Sequence, residues 1–169
     1  MAAALTDRLL AERGAAGVTV SSASILDRPG YPATDDTVAV LAGRGIDLQA
    51  HRSQTLTRPL TAAADLVLTM ERAHLRVAAT LSPGAFAKTF TLKEFVRRGH
   101  ERGARLAGED LAAYLGRVGA GREARQLLQA DPADDVADPQ GGPRAGFVAT
   151  VDELDVLARG LVDLLFGRA

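Results

Sequence analysis

A chain of 169 residues, 47% hydrophobic and 24% charged, has the balance of a soluble globular protein and the length to bury a core. Its net charge of −1 offers no global attraction to nucleic acid or to an anionic membrane, and no apolar run has the length of a membrane span or the pattern of a signal peptide, so the expected address is cytoplasmic. It contains no cysteine, which excludes disulfides, thiolate metal sites and a cysteine nucleophile among these residues.

A helix is expected from the start of the chain, with Leu5, Leu9 and Leu10 on one side and Asp7, Arg8, Glu12 and Arg13 on the other. It lacks the capping side chain and acidic first turn that usually open a helix. Gly14 and Gly17 mark its stop, and VTVSS, Val18 to Ser22, reads as a short strand. The loop ILDRPGYPATDD leads to a helix around Thr37–Gly43, capped by Asp35 or Asp36. Gly45 closes that helix, and Ile46–Leu48 forms a hydrophobic return. ADLVLTM, Ala64 to Met70, is the near-continuous apolar run of a strand covered on both faces. A helix from Glu71 to Leu81 follows, ended by SPG; KTFTL is a third strand and LKEFVRRG turns helical again.

The second half reads as mainly helical. GEDLAAYLGRV carries an apolar stripe of Leu111, Tyr114, Leu115 and Val118, and Gly119 to Gly121 break it before the helical REARQLLQA. The last helix places Phe147, Val151, Leu154, Leu161 and Leu165 at three- and four-residue spacings. Strands separated by helices imply β-α-β crossovers and a parallel sheet, in a single domain over residues 1–169. Before the last helix lies DPADDVADPQGGPRAG, Asp131 to Gly146, with four Asp, three Pro and three Gly. A loop of this length inside a compact domain is the best internal pointer to a site.

Three stretches in order carry a family resemblance: VSSAS; GRGIDLQAHRSQTLTRPLTAAADLVLTMERAHL; and DDVADPQGG ahead of a terminal helix. Together they resemble the low-molecular-weight protein-tyrosine-phosphatase family, along essentially the whole chain. The resemblance implies a flavodoxin- or Rossmann-like three-layer α/β/α fold with a parallel sheet. In that family the first helix follows a central strand and a phosphate loop of the form Cys, five residues, Arg, Ser, Pro. MAAALTDRLL matches that helix, so the first, central strand and its loop are expected to be missing here, through a start codon assigned too far downstream or a natural loss. A chain without that strand leaves two inner sheet edges unpaired and is expected to fold poorly alone.

The family reaction hydrolyses phosphotyrosine-type monoesters through a phosphocysteine. A thiolate at a helix N-terminus attacks phosphorus, backbone N–H groups cradle the phosphate, and an Asp protonates the leaving oxygen and then helps water attack. By resemblance Asp138, followed by Pro139, is that general acid, and His51 and Ser22 support the phosphate loop through hydrogen bonds. Ser24 stands where the family has Gly, and Gln140 stands where it commonly has an aromatic that walls the substrate ring. Asp131, Asp134 and Asp135 lack the spacing of a calcium loop and read as solvated loop acids; no metal and no cofactor are implied. His74 and His100 suit exposed helix positions, and RRGHERGAR, Arg97 to Arg105, reads as a solvated basic face with no aromatics interleaved for nucleic acid.

The expected partner is a phosphorylated protein or a small phosphomonoester, and these residues alone, without nucleophile or phosphate-clamping Arg, are expected to be inactive. A pseudophosphatase, keeping the scaffold as a non-catalytic interaction or regulatory module, stands beside that reading. Arsenate reduction on the same scaffold also needs thiols, and an unrelated flavodoxin-like binding domain would have to produce the ordered resemblance by chance.

Overall fold

The computed structural model describes residues 1–125 and 131–167. The described chain resolves into two compact units: Met1–Thr55 with Ala137–Val162, and Leu56–Val136 with residues 163–167.

In the first unit, α1 (Ala2–Glu12) buries Leu5, Leu9 and Leu10, the stripe expected from spacing. α2 (Asp35–Ala42) starts two residues earlier than expected. Its cap is Thr34, whose Oγ1 accepts the Thr37 N–H at 3.4 Å, while Asp35 and Asp36 lie in the first turn where carboxylates complement the helix dipole. Gly45, at φ 75°, closes it with the Ile46 N–H donating to the Leu41 carbonyl at 3.0 Å, a left-handed stop that suits glycine. The part of the long α7 (Arg144–Phe166) that belongs to this unit, up to Val162, buries Phe147, Val151, Leu154, Ala158, Leu161 and Val162. Arg8 bridges these elements: Nη2 donates to Asp155 Oδ1 at 2.9 Å and Nη1 to the Arg44 carbonyl at 3.0 Å.

VTVSS is not a strand. A strand exists by its ladder, and among the described residues the neighbouring backbone finds only one parallel bridge, Ser24 with Thr55, where the Ser24 N–H donates to the Gln54 carbonyl at 2.8 Å. Val18 is 39% exposed, so the apolar alternation there seals no core.

The second unit holds the sheet. β1 (Val67–Thr69) and β2 (Thr89–Thr91) pair in parallel, Val67 opposite Thr89, Leu68 opposite Phe90 and Thr69 opposite Thr91. Their connection is α4 (Arg72–Leu81) and a 3-10 turn over Pro83–Lys88, the expected β-α-β order. β1 is shorter than the apolar run predicts. α3 (Arg58–Ala63), capped by Thr57 and started by Pro59, ends at Ala64. At the other end the Thr69 hydroxyl is within bonding distance of the Phe90 carbonyl at 3.3 Å and the Glu71 carbonyl at 3.1 Å. α5 (Leu92–Arg102) starts directly on β2: Thr91 is both the last strand residue and the cap, its Oγ1 accepting the Glu94 N–H at 3.1 Å. α6 (Leu111–Gly119) is capped by Asp110. The core is a chain of edge-to-face rings, Phe90 to Phe95 at 5.4 Å and Phe95 to Tyr114 at 6.1 Å, with Leu75, Leu115 and Val118 around them. The helix expected over REARQLLQA falls mostly outside the described residues.

Candidate functional site

Asp138 opens a tight turn. Its Oδ1 accepts the Gln140 N–H at 3.0 Å, an Asx turn, and the Pro139 carbonyl accepts the Gly142 N–H at 3.0 Å. Gly141 has φ 79°, which costs a residue with a Cβ but not glycine, so the GG pair after Asp-Pro is what lets the chain reverse. The turn is held to the start of α7, where Thr150 Oγ1 donates to the Ala137 carbonyl at 3.3 Å. The Asp138 side chain is exposed, with one carboxyl oxygen committed to the turn. Such a group can meet a substrate oxygen without first crossing a packed interior.

Ser22 and His51 belong to the same unit as Asp138. Ser22 is exposed, and its carbonyl accepts Gln54 Nε2 at 2.9 Å. His51 is half-buried; its N–H donates to the Leu48 carbonyl at 3.0 Å, and its own carbonyl accepts Arg52 Nη1 at 2.7 Å. Thus both residues are tied through their backbones, and among the described residues no hydrogen bond joins their side chains. The loop between them and α2 is stitched to Ser53: Ser53 Oγ donates to the Arg28 carbonyl at 2.5 Å and accepts the Tyr31 N–H at 3.0 Å. This leaves Ile25, Leu26 and Tyr31 exposed on an ordered loop.

The acids ahead of Asp138 differ from their expected solvated state. Asp134 is 1% exposed; its Oδ2 takes Arg72 Nη2 at 2.8 Å and its Oδ1 takes Arg97 Nη2 at 3.1 Å. Asp131 Oδ2 lies 3.0 Å from the same Arg72 nitrogen, and Asp135 Oδ1 accepts the Arg72 backbone N–H at 2.8 Å. The reason is chemical: a carboxylate can be buried where two guanidiniums satisfy both of its oxygens. Arg97 is held in turn. Burial works against its charge, but the hydrogen bond and attraction of Asp134 outweigh it and keep its pKa above the ordinary value. RRGHERGAR is therefore only partly a solvated face, since Arg98 Nε also donates to the Val118 carbonyl at 2.8 Å and Arg105 Nε to the Glu109 carbonyl at 2.8 Å. His100 is exposed as expected, whereas His74 is half-buried with Nε2 3.9 Å from Glu71 Oε2.

The model of the family described as low molecular weight phosphotyrosine protein phosphatase matches residues 1–107. The chain belongs to this family. Among its low molecular weight phosphatase relatives, the protein-arginine-phosphatase of Bacillus subtilis is 32% identical over 156 residues, covering 92% of this chain and 81% of that protein. The probable low molecular weight protein-tyrosine-phosphatase EpsP of Ralstonia nicotianae is 41% identical over 78 residues, and the match spans 46% of this chain and only 54% of that relative's own length. Among solved structures, the YwlE arginine phosphatase from Geobacillus stearothermophilus superposes with a TM-score of 0.67 at 30% identity, covering 96% of this chain and 80% of the other. The low molecular weight protein tyrosine phosphatase from T. tengcongensis gives a TM-score of 0.71 at 28% identity over 97% of this chain and 88% of the other. These likenesses agree with the α/β fold and parallel pairing seen here.

Local reading of the sequence missed Arg72 and Arg97. The one signal for them was three acids crowded into five residues before Asp138, a charge density that burial in a compact domain has to neutralise.

Proposed function

We propose that this chain supplies the proton-donor side of a phosphatase that cleaves a phosphorylated protein side chain, the P–O bond of phosphotyrosine or the P–N bond of phosphoarginine, through a phosphocysteine. The observation that carries the reading is the exposed carboxyl of Asp138, presented by an Asx turn and a double-glycine reversal at the head of α7. An acid protonating the leaving oxygen or nitrogen needs access and a defined direction, and this turn supplies both. His51 and Ser22, tethered by their backbones within the same unit, are the proposed supports of the phosphate loop. The arginine-phosphatase relatives favour phosphoarginine, and Gln140 directly after Asp138-Pro139 fits a substrate with no aromatic ring to wall.

The sulfur step is assigned to no residue here, because the 169 residues contain no cysteine. A second reading is that the scaffold binds phosphorylated protein without turning it over. The deciding experiment assays aryl phosphate, a phosphotyrosine peptide and a phosphoarginine peptide with the 169-residue chain and with the same chain carrying the in-frame residues encoded upstream. The expected result is no enzymatic turnover by the 169 residues, turnover by a longer chain that contains a Cys-five-Arg loop, and a loss of about 10²–10⁴ in kcat on Asp138→Ala. Enzymatic turnover by the 169 residues alone would overturn the phosphocysteine reading; an upstream sequence without such a loop would favour the binding module.

A further inference from the structure

We infer that the second unit carries a binding pocket for a small uncharged molecule, an alcohol or amide with a short apolar body, whose hydrogen-bonding head meets the buried hydroxyl of Tyr114. The pocket is independent of the chemistry proposed for Asp138.

The pocket lies where the end of α5 meets the end of α7. A cavity of about 270 Å³ is lined by Gly99, His100, Gly103, Ala104, Asp163 and Leu164, all of them in the second unit. Its two walls are fixed to each other, since the Arg105 N–H donates to the Leu164 carbonyl at 2.8 Å. His100, Gly103 and Ala104 are exposed and form the mouth, whereas Gly99 and Leu164 are buried and form the floor.

At that floor stands Tyr114 of α6, fully buried, its hydroxyl without a hydrogen-bond partner among the described residues. Gly99 shows how near it comes to the pocket. A methyl built on Gly99 would lie 3.2 Å from the Tyr114 hydroxyl and 2.5 Å from Leu164 Cδ1. One small space beside Gly99 therefore borders both the orphan hydroxyl and the tip of a leucine that lines the pocket. Glycine at this position keeps the chain's own carbon out of that space. Leu164 Cδ1 is the far end of a flexible side chain, so a change of rotamer gives the space to a ligand atom at about hydrogen-bond distance from the hydroxyl.

The chemistry of the space selects the ligand. A phenolic hydroxyl donates or accepts, and a buried one that gains a partner recovers what its desolvation cost. A charged head would give up its water for a single neutral partner, a loss that one hydroxyl does not offset. Gly99, Ala104 and Leu164 present carbon and backbone to the body of the ligand. The cavity falls just below the size that holds drug-sized molecules, so it admits a fragment.

The test follows n-butanol by NMR as it is titrated into the isotope-labelled 169-residue chain and its Tyr114→Phe variant, with butyrate and n-butylammonium as charged probes of matching length. The expected result is saturable movement of the Gly99 and Gly103 amides and the Leu164 methyls, with a Kd in the millimolar range. Tyr114→Phe keeps the ring and removes only the oxygen, and should bind n-butanol about fivefold more weakly. Either charged probe should bind about tenfold or more weakly than the alcohol. Should Tyr114→Phe fail to fold, Gly99→Ala carries the test: its methyl takes the space beside the hydroxyl, and n-butanol binding should be lost. Shifts that never saturate, equal affinity in the parent and Tyr114→Phe, binding retained by Gly99→Ala, or charged probes that bind as well as the alcohol would each overturn the inference.

Discussion

Tyr114 shows how much one side chain can carry against its own chemistry. Its ring is fully buried, stacked edge-on against Phe95 and covered by the Arg117 guanidinium at 4.9 Å, yet its hydroxyl finds no hydrogen-bond partner among the described residues. The phenol contributes packing while its O–H is taken out of water uncompensated, at a cost of about 1–3 kcal/mol. Burial also pushes its pKa above the usual phenol value, more than Arg117 pulls it down. Folded and unfolded chains therefore bind the same proton at neutral pH. Above about pH 10 the unfolded chain loses it first, so stability falls as pH rises toward the raised folded value. Tyr114→Phe is expected to match or exceed the parent by up to about 2 kcal/mol at neutral pH and to lose less stability above pH 10. Urea melts at pH 7 and above pH 10 check both limbs; a variant weakened at both pH values would mean the hydroxyl has a partner.

Among the elements, the junction of β2 and α5 asks most of its residues, because no loop separates them. Thr91 is paired with Thr69 in the ladder, is fully buried, and caps the helix through Glu94 N–H. Thr91→Ala should cost about 1–2 kcal/mol in a denaturant melt, and Thr91→Ser, which keeps the oxygen, should recover most of it. Most helices were legible in the sequence because their signals are local: the Leu5-Leu9-Leu10 stripe, the acid before Leu111, the SPG after Leu81; the short α3 was not, since its six residues are too few to show a periodic stripe. Thr34 was overlooked as a cap because two acids follow it, and acids serve equally well in the first turn. VTVSS misled for a different reason. Alternation describes one strand, whereas a ladder needs a second, and nothing in those five residues names it.

At the scale of the molecule, the bonds that hold each unit join positions far apart in sequence. Arg8 and Asp155 are 147 residues apart, Arg72 and Asp134 are 62 apart, and Arg122 and Glu94 are 28 apart. That distance is why Asp138 could be picked out from its Asp-Pro neighbourhood while the burial of Asp134 could not: the first depends on adjacent residues, the second on partners in other elements. The Arg122–Glu94 pair is the most demanding of these. Arg122 Nε lies 2.8 Å from Glu94 Oε1, its guanidinium stacks over Phe90 at 4.0 Å and Phe86 at 4.6 Å, and it donates to the Phe86 and Thr89 carbonyls. Burial lowers the Arg122 pKa against the pull of Glu94, a sign that the pair is held in poorly hydrated surroundings. Arg122→Met leaves Glu94 and two carbonyls without their donor and should cost about 3–5 kcal/mol, a large share of a domain's typical 5–15, measured as a drop in the urea midpoint. Of the twenty lysine and arginine residues all but Lys88 and Lys93 are arginine, and several of those guanidiniums end on peptide oxygens: of Val118 and Ala120, of Phe86 and Thr89, of Gly103 and Ala104. Every amino acid carries such an oxygen. Mutational drift at those accepting positions can change the side chain and keep the bond, while the donor has no substitute, so across descendants of this gene the arginines should stay put as the residues they serve wander.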